Sequence, residues 1–415
     1  MEIIIFDWGH LLISTLPLLF FLYIVQRIFK YNPILVLVLA GNLLGILSVF
    51  ISLIIIEQGV FLFELEQWTS KSYSSLYYLL FLLPVLYEMK NLKKLRFERN
   101  VDKKLKPRLF IILSIGFIIL SIMLIGDNLF GIKKTHPILS LPYGNIFLFF
   151  YKIIDYLLLI FSIHCDKRYL PILILIFILL NITQFSFTSI FLGLIPILGI
   201  RIYKDKIKMM NLFRKLDIDK RLVFISLVAV IGAIWIRAYS IQTSLYTIYD
   251  RLVSTGQMFW AVVENEYKVN TTEQILLFFQ NIFSVRNLPT VANYGLGEFM
   301  ITISPSVAPK YVQAGVRFAG GSPAIYIYHF GFIAGFVIYA LIVKIILRYY
   351  YHIGKCLLHY DVFGFILLSL LGLYVGELLT AGDFAKINLR SIIYLSTTLF
   401  YFSGAWKRVF IHNRA

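Results

Sequence analysis

Cationic side chains in the second half of the sequence have the chemistry to bind a phosphate or diphosphate group. They gather between Arg237 and Gly335, the one long stretch of ordinary polarity in an otherwise apolar chain. A guanidinium presents a planar set of donors that matches a phosphate, and fixed cations stabilise negative charge as it develops in a reaction. Arg251 and Arg317 are the first candidates, and the secondary cations are Arg286, Lys310 and, nearer the C-terminus, Arg390.

A reaction at such a site also needs a group that accepts a proton, and several residues qualify by position. A carboxylate or an imidazole is the usual choice. The candidates are Glu264, Glu298, His329, Glu377 and Asp383. Glu377 falls near the end of an apolar run, where an ionisable side chain is costly and therefore suggests function. His329 fits equally well as a hydrogen-bonded imidazole that lines a helix, so the residues alone leave the choice open.

Two further groups of charged residues have simpler interpretations. Glu64 and Glu66 are read as solvated acids of a loop, with a metal-binding pair as the less favoured alternative. Lys152 and Asp155 are three residues apart and are read as a buried pair within a helix. Cys165 and Cys356 are expected to be separate, inert thiols. No metal site and no cofactor is expected.

The residues around these cations predict helices that present polar groups. The apolar rhythm from Tyr249 to Tyr267 indicates a helix with Gln257, Trp260 and Glu264 on one face. Gly320-Gly321-Ser322-Pro323 predicts a helix start at about Pro323, whose amide groups would offer an anion site at the outer surface. Substrate contacts are expected from Gln257, Trp260, Arg286, Lys310, Gly320, Gly321, Ser322, Tyr326 and Arg390.

Composition identifies the class of protein that must position these residues. Of 415 residues, 59% are hydrophobic and only 15% are charged, and the mean hydropathy is +0.81. A soluble domain has about a quarter of its residues charged, whereas a span needs about 20 apolar residues in a row. The net charge of +17 resides mostly in short connections, which indicates membrane orientation and not nucleic-acid binding. The sequence predicts an all-α polytopic membrane protein.

Hydropathy and charge together predict eleven spans, with the N-terminus outside and the C-terminus inside. Nine Lys/Arg between Lys90 and Arg108 give the strongest orientation signal. A long outer loop, residues 238–325, joins spans 8 and 9 of a single integral membrane domain, residues 1–415. The spans are 8–25, 33–56, 73–89, 109–125, 146–163, two short helices within 169–200, then 222–236, 327–346, 362–379 and 391–404.

Several of these stretches together resemble the Wzy-type O-antigen/capsule repeat-unit polymerases. The resemblance rests on Arg251 followed by Gln-Met-Phe-Trp ending at Trp260, on GVRFAGGSPAIYIYHFG entering a helix, within the stretch from Gly315 to Gly335, and on the polar-tipped hairpin at Asn181 to Thr188. It implies a GT-C-like glycosyltransferase of the bacterial inner membrane with a periplasmic active site. Members of that family often have a second long outer loop, whereas this chain has one.

The resemblance also implies substrates and partners. The donor and the acceptor would be undecaprenyl-pyrophosphate-linked glycans within the lipid bilayer, with a chain-length regulator as a further partner. Arg251 and Arg317 would take up the charge on the departing lipid diphosphate. Glu264, His329 or Glu377 would accept the proton of the acceptor hydroxyl.

Two other activities suit the same layout. A ligase that moves finished O-antigen onto lipid A core would share the architecture. A flippase or transporter of the lipid-linked unit would predict internal duplication and charged residues along the spans. The sequence has no visible duplication, and Lys152 with Asp155 is the one clear mid-span charge pair.

Overall fold

Helices account for nearly all of the structure, a computed structural model that describes residues 8–58, 73–96, 107–125, 144–183, 187–204, 255–264, 322–375 and 389–403, with the single positions 280, 283 and 309. Among these residues there is no strand, so the prediction of an all-α fold is confirmed for them. The labelled helices are α1 (Trp8–Tyr31), α2 (Pro33–Val38), α3 (Ala40–Glu57), α4 (Ser74–Asn91), α5 (Arg108–Ile125), α6 (Gly144–His164), α7 (Leu170–Thr183), α8 (Phe187–Lys204), α9 (Ala324–His359), α10 (Val362–Val375) and α11 (Leu389–Phe402). Residues 255–264 are also helical.

Among the described residues, three helical segments are long and apolar enough to cross a membrane: Trp8–Tyr31, Ala40–Glu57 and Phe330–His359. Shorter apolar helices are Arg108–Met123, Leu170–Asn181 and Val362–Gly372. Large apolar side chains lie exposed on these helices, as on α5, where Met123 is 74% exposed. Such surface suits contact with lipid tails. These features fit a helical membrane protein, although the predicted span 222–236 lies outside the described residues.

The chain divides into two compact units. The first comprises Met1–Lys94, Leu245–His352 and Leu367–Ala415, and the second comprises Leu95–Ser244 and Ile353–Ile366. In the first unit α1 packs against α2, α3 and α4, and α3 packs against α4. The predicted span 33–56 is broken at Leu39, whose backbone (φ −85°, ψ 0°) separates α2 from α3.

Helix α9 doubles back on itself near its N-terminus. Gly331 has a backbone (φ 75°, ψ 177°) that only glycine adopts readily, and the helix is interrupted there. The rings of Tyr326 and Tyr339 are 5.4 Å apart, whereas thirteen residues of continuous helix would advance about 20 Å. Ala324 to Phe330 therefore folds against the following turns as a helical hairpin. The expectation of one uninterrupted helix from about Pro323 is wrong, because Gly331 reverses the chain.

The second unit contains an apolar core built by α5 to α8. Tyr151, Leu158, Phe177, Leu180 and Ile197 are among its buried members. The expected pair of short helices within residues 169–200 is confirmed as α7 and α8. Gly193 of α8 leaves room for the Phe177 ring of α7, where any side chain would collide.

Polar side chains in the second unit satisfy backbone groups and one carboxylate. Arg201 donates to the carbonyl oxygens of Ile163 and Cys165 at 2.8 and 2.9 Å, which supplies partners to the C-terminal end of α6. Asn181 donates to Asp155 Oδ1 at 2.8 Å, and the positive charge of Lys152 also acts on this carboxylate. The expected buried pair is thus a three-residue group that includes Asn181.

Candidate functional site

The first stretch that carries the family resemblance is buried inside the first unit. Residues 255–264 form a helix, and the side chains from Met258 to Val262 are at most 2% exposed. The Thr255 hydroxyl donates to the Ser48 carbonyl at 3.2 Å, and the Gly256 amide donates to Ser52 Oγ at 2.8 Å. Ser48 and Ser52 lie midway along α3, so this segment runs alongside α3 and not across the protein surface.

Glycine at position 256 is what allows this close approach. A Cβ built there would lie 2.6 Å from Ser52 Oγ and 3.1 Å from the Val49 carbonyl oxygen. Both distances are below ordinary van der Waals contact. The close contact between Gly256 and Ser52 therefore fixes the position of the buried segment along the axis of α3.

The Phe81 ring of α4 joins the two stretches that carry the resemblance. Its centre lies 6.2 Å from the ring of Phe259 in the buried segment. It also lies 5.2 Å from Phe332, 5.4 Å from Phe336 and 5.9 Å from Tyr339, all in the helical hairpin of α9. Edge-to-face aromatic pairs stabilise such packing beyond the area they bury. The two stretches, whose rings Phe259 and Phe332 are 73 positions apart in sequence, share one aromatic core.

At one end of this core is a group of polar side chains that we call the Glu57 cluster: His10, Ser14, Glu57, Ser75 and Glu264. Glu57 is the last residue of α3 and is fully buried. Its Oε1 accepts a hydrogen bond from the Ser75 amide at 2.7 Å, and its Oε2 accepts one from Ser75 Oγ at 3.2 Å. His10 Nε2 lies 3.9 Å from Glu57 Oε2, and the buried Ser14 side chain lies close enough to act on this carboxylate.

The position of Glu57 explains part of its role. Ser75 is in the first turn of α4, where amide groups have no partner inside the helix. A carboxylate there satisfies an amide and interacts favourably with the positive end of the helix dipole. Glu57 thus caps α4 from a neighbouring helix. Glu264, at the end of the buried segment and only partly buried, is close enough for its negative charge to act on Glu57.

The described residues include several of those expected at the site. Glu264 joins the Glu57 cluster. Gln257, Trp260, Ser322 and Tyr326 are buried in the first unit, between 0 and 2% exposed. Because Ser322 and Ala324 are buried, the amides at the start of α9 do not face the outer surface as expected. Their part in binding substrate stays a prediction.

Two further expected site residues lie on described helices, and the others are not described. Arg390 is exposed at the second position of α11, and His329 lies in the first arm of the α9 hairpin. The described residues contain no group of three His, Cys, Asp or Glu side chains placed to hold a metal ion. The expected residues outside the described part of the chain are Arg251, Arg286, Glu298, Lys310, Arg317, Gly320, Gly321, Glu377 and Asp383, together with Glu64 and Glu66.

Sequence reasoning missed His10 and Glu57 as members of a site. Glu57 directly follows the predicted span 33–56, so the prediction leaves it in the loop after that span. A signal was present, since an acid at the end of a span is costly to bury without partners. The Ser74-Ser75 pair at the start of the next span could have indicated where those partners lie.

Comparison with known proteins gives one match. A model described as "Family of unknown function (DUF6418)" matches residues 289–395, which include Lys310, Arg317, the α9 hairpin and Arg390. No curated protein matches the chain, and no solved structure matches it.

Proposed function

We propose that this chain is an inner-membrane glycosyltransferase that polymerises lipid-linked oligosaccharide repeat units into O-antigen or capsular polysaccharide. In this proposal eleven spans hold the active site at the periplasmic face, and undecaprenyl pyrophosphate is released. One observation carries most of the support: residues 255–264 and the α9 hairpin, which bear the resemblance to polymerases, pack on the same Phe81 ring.

Chain connectivity ties the two proposed arginines to this core. Arg251 precedes Thr255 by four residues, so its Cα lies within about 14 Å of that of Thr255. Arg317 precedes Ser322 by five residues, so its Cα lies within about 18 Å of that of Ser322. In this proposal the two guanidinium groups bind the diphosphate and stabilise it as it departs.

The Glu57 cluster supports an assignment for the proton acceptor. Both oxygens of Glu57 accept hydrogen bonds from Ser75, so Glu57 is a positioning residue in the proposal. Glu264 is the partly exposed acid of this cluster, and we assign it the role of accepting the acceptor hydroxyl's proton. The glycosyl carbon then forms a bond to that oxygen as its bond to the diphosphate breaks, and the electron pair leaves with the diphosphate.

A deletion strain tests the activity directly. Loss of a polymerase leaves surface glycan one repeat unit long. Polymer that accumulates without attachment to lipid A core would favour the ligase instead. Absence of any exported glycan would favour a flippase or transporter, and either result would overturn the proposal.

Complementation of that strain tests the residues. Arg251→Ala, Arg317→Ala and Glu264→Gln should each abolish the glycan ladder while the protein stays in the membrane at the level of the unaltered chain. Arg348→Ala is the matched control, because Arg348 is an exposed cation elsewhere on α9, and it should retain the ladder. A full ladder from all three site variants would contradict the assignment.

A further inference from the structure

A groove lined by cationic and aromatic side chains lies at the C-terminal end of α1. Its lining residues are Tyr23, Gln26, Arg27, Lys30 and Tyr31, and its volume is about 510 Å³. Positions 23, 26, 27 and 30 share one helix face, because residues three and four apart are neighbours. About 25 Å of helix separates Arg27 from His10 of the Glu57 cluster, so the groove is remote from the proposed active site.

Aromatic rings and a buried amide hold the cations of this groove in place. The Arg27 guanidinium lies 5.6 Å from the centre of the Tyr23 ring, and Lys94 Nζ lies 5.9 Å from that of Tyr31. The fully buried Asn32 side chain donates to the Lys93 carbonyl at 3.1 Å. This bond ties the chain after α4 to the end of α1 and brings Lys94 to the groove.

Among the described residues no carboxylate pairs with the cations of the groove. Neither the Arg168–Asp166 ion pair nor the approach of His10 to Glu57 includes Arg27, Lys30 or Lys94. Arg27 and Lys30 are exposed. Three cations with no carboxylate partner in the described part of the chain favour an anionic ligand.

An apolar stripe on α1 leads to this groove. Leu12, Leu16, Leu19 and Tyr23 are between 54 and 66% exposed and follow one another at intervals of three or four residues. The stripe is about 17 Å long, a length along which an acyl chain can lie. Tyrosine beside a cation at its end is the arrangement expected where a helix meets the headgroup layer.

We propose that this groove binds the headgroup of an anionic phospholipid of the bilayer. Its phosphate contacts Arg27, Lys30 and Lys94, and one of its acyl chains lies along the stripe from Leu12 to Tyr23. Free phosphate shares the charge of the headgroup but cannot use the stripe, which is why a lipid is the expected occupant. The site is independent of the proposed polymerase activity.

Native mass spectrometry of the full-length chain in detergent tests this site with three probes. Phosphatidylglycerol should remain bound, whereas phosphatidylcholine with the same acyl chains should bind at least about fivefold more weakly. Inorganic phosphate at the same concentration should show no retained adduct. Equal binding of the two lipids, or an equally retained phosphate adduct, would overturn the proposal.

Variants locate the binding. The double variant Arg27→Gln/Lys30→Gln should lower phosphatidylglycerol affinity at least about tenfold, given the contribution of each cation near anionic lipid. Lys344→Gln/Arg348→Gln is the matched control, since it removes two exposed cations one turn apart on α9, and it should change affinity less than about twofold. An equal loss in both double variants would show general charge attraction and reject the groove.

A conservative variant separates binding from folding. Arg27→Lys/Lys30→Arg keeps both charges and should retain most of the affinity. All variants alter exposed positions, so their unfolding temperatures should match that of the unaltered chain. Affinity lost equally in the conservative and the glutamine variants would contradict charge recognition.

Discussion

The Tyr326 ring lies 5.4 Å from the Tyr339 ring, although thirteen residues of α9 separate them. This contact exists because the helix reverses at Gly331. It folds the buried residues 322–328 back against the following turns of α9, and this hairpin packs with residues 255–264 around Phe81. The arrangement makes the stability of the hairpin a prerequisite for the proposed activity.

Gly335→Ala should destabilise the hairpin. A Cβ at this position would lie 2.6 Å from the Tyr326 carbonyl oxygen, and backbone cannot move aside as a flexible side chain can. We expect a loss of about 1–3 kcal/mol in the free energy of unfolding, measured by denaturant titration in detergent. Gly116→Ala is the control, because nothing lies within 4 Å of a Cβ there, and its effect should be neutral or slightly stabilising. Equal unfolding midpoints for the two variants would argue against the hairpin.

The contact between Phe81 and Phe259 should be measurable as an energetic coupling. A double-mutant cycle with Phe81→Leu and Phe259→Leu should give about 0.5–1.5 kcal/mol, the usual range for an aromatic pair. The same cycle between Phe81 and Phe400, an exposed residue of α11, should give a coupling near zero. No coupling in the first cycle would mean that the two stretches do not share a core.

Glu57 should contribute to stability through the cap it provides to α4. Glu57→Ala removes the acceptor of the Ser75 amide and should cost about 1–3 kcal/mol of unfolding free energy. Glu57→Gln keeps an oxygen acceptor and should cost less. Thermal unfolding of the two variants, each compared with Ser75→Ala, measures this. A glutamine variant as unstable as the alanine variant would show that the charge, and not the cap, is what matters.

Asn181 and Asp155 should behave as a coupled pair within the second unit. Asn181→Leu leaves the carboxylate without its 2.8 Å donor, which should cost about 1–3 kcal/mol of unfolding free energy. The double change Asn181→Leu/Asp155→Leu removes both polar groups, so it should recover most of that loss. Unfolding midpoints of the single and double variants give the comparison. A double variant less stable than the single one would contradict the pairing.

The Cys165 thiol should resist alkylation at neutral pH. Burial raises the pKa of Cys165 to about 11, against the opposing effect of Arg201. Only the thiolate reacts, so at pH 8 about one thiol in a thousand is reactive. Maleimide labelling of the Cys356→Ala variant should be slow in the folded protein. The labelling rate should increase about tenfold per pH unit as long as the protein stays folded. Denaturation should make labelling fast. Rapid labelling of the folded protein at pH 7 would contradict the burial.

An exposed cysteine provides the reference rate for that experiment. Gln26→Cys, in a chain with Cys165→Ala and Cys356→Ala, places a thiol at an exposed position of α1. It should react at the rate of a free thiol at pH 7. Because the chain has only two cysteines, each rate is assigned to one position without ambiguity.

Apolar runs and their flanking charges were enough to predict where many of the described helices lie. Helices α1, α4 and α5 follow runs of about the length of a span, and α7 and α8 were expected from a polar break in a run too short for two full spans. The reversal at Gly331 was missed because the spans were predicted from hydropathy. The Phe330-Gly331-Phe332 sequence continues the apolar run, and hydropathy gives no information about a change in the direction of the chain.

The candidate site was only partly accessible from sequence. The apolar pattern of residues 255–264 predicted a helix. Such a pattern does not show which part of the protein packs against that helix, so the segment was expected at the membrane face. Its burial depends on Gly256 meeting Ser52, two residues about two hundred positions apart. Glu57 was missed for a related reason, since its partners His10 and Ser75 come from two other helices.

The reversal at Gly331 leaves Phe330–His359 as the part of α9 that can cross the bilayer, and these 30 residues extend about 45 Å. The hydrocarbon layer is about 30 Å thick. The surplus of roughly 15 Å must be taken up by tilt or by projection into the aqueous compartment. Arg348 and Lys355, both exposed near the distal end, favour projection. The helix then projects beyond the headgroups and carries these two cations into the adjoining aqueous compartment.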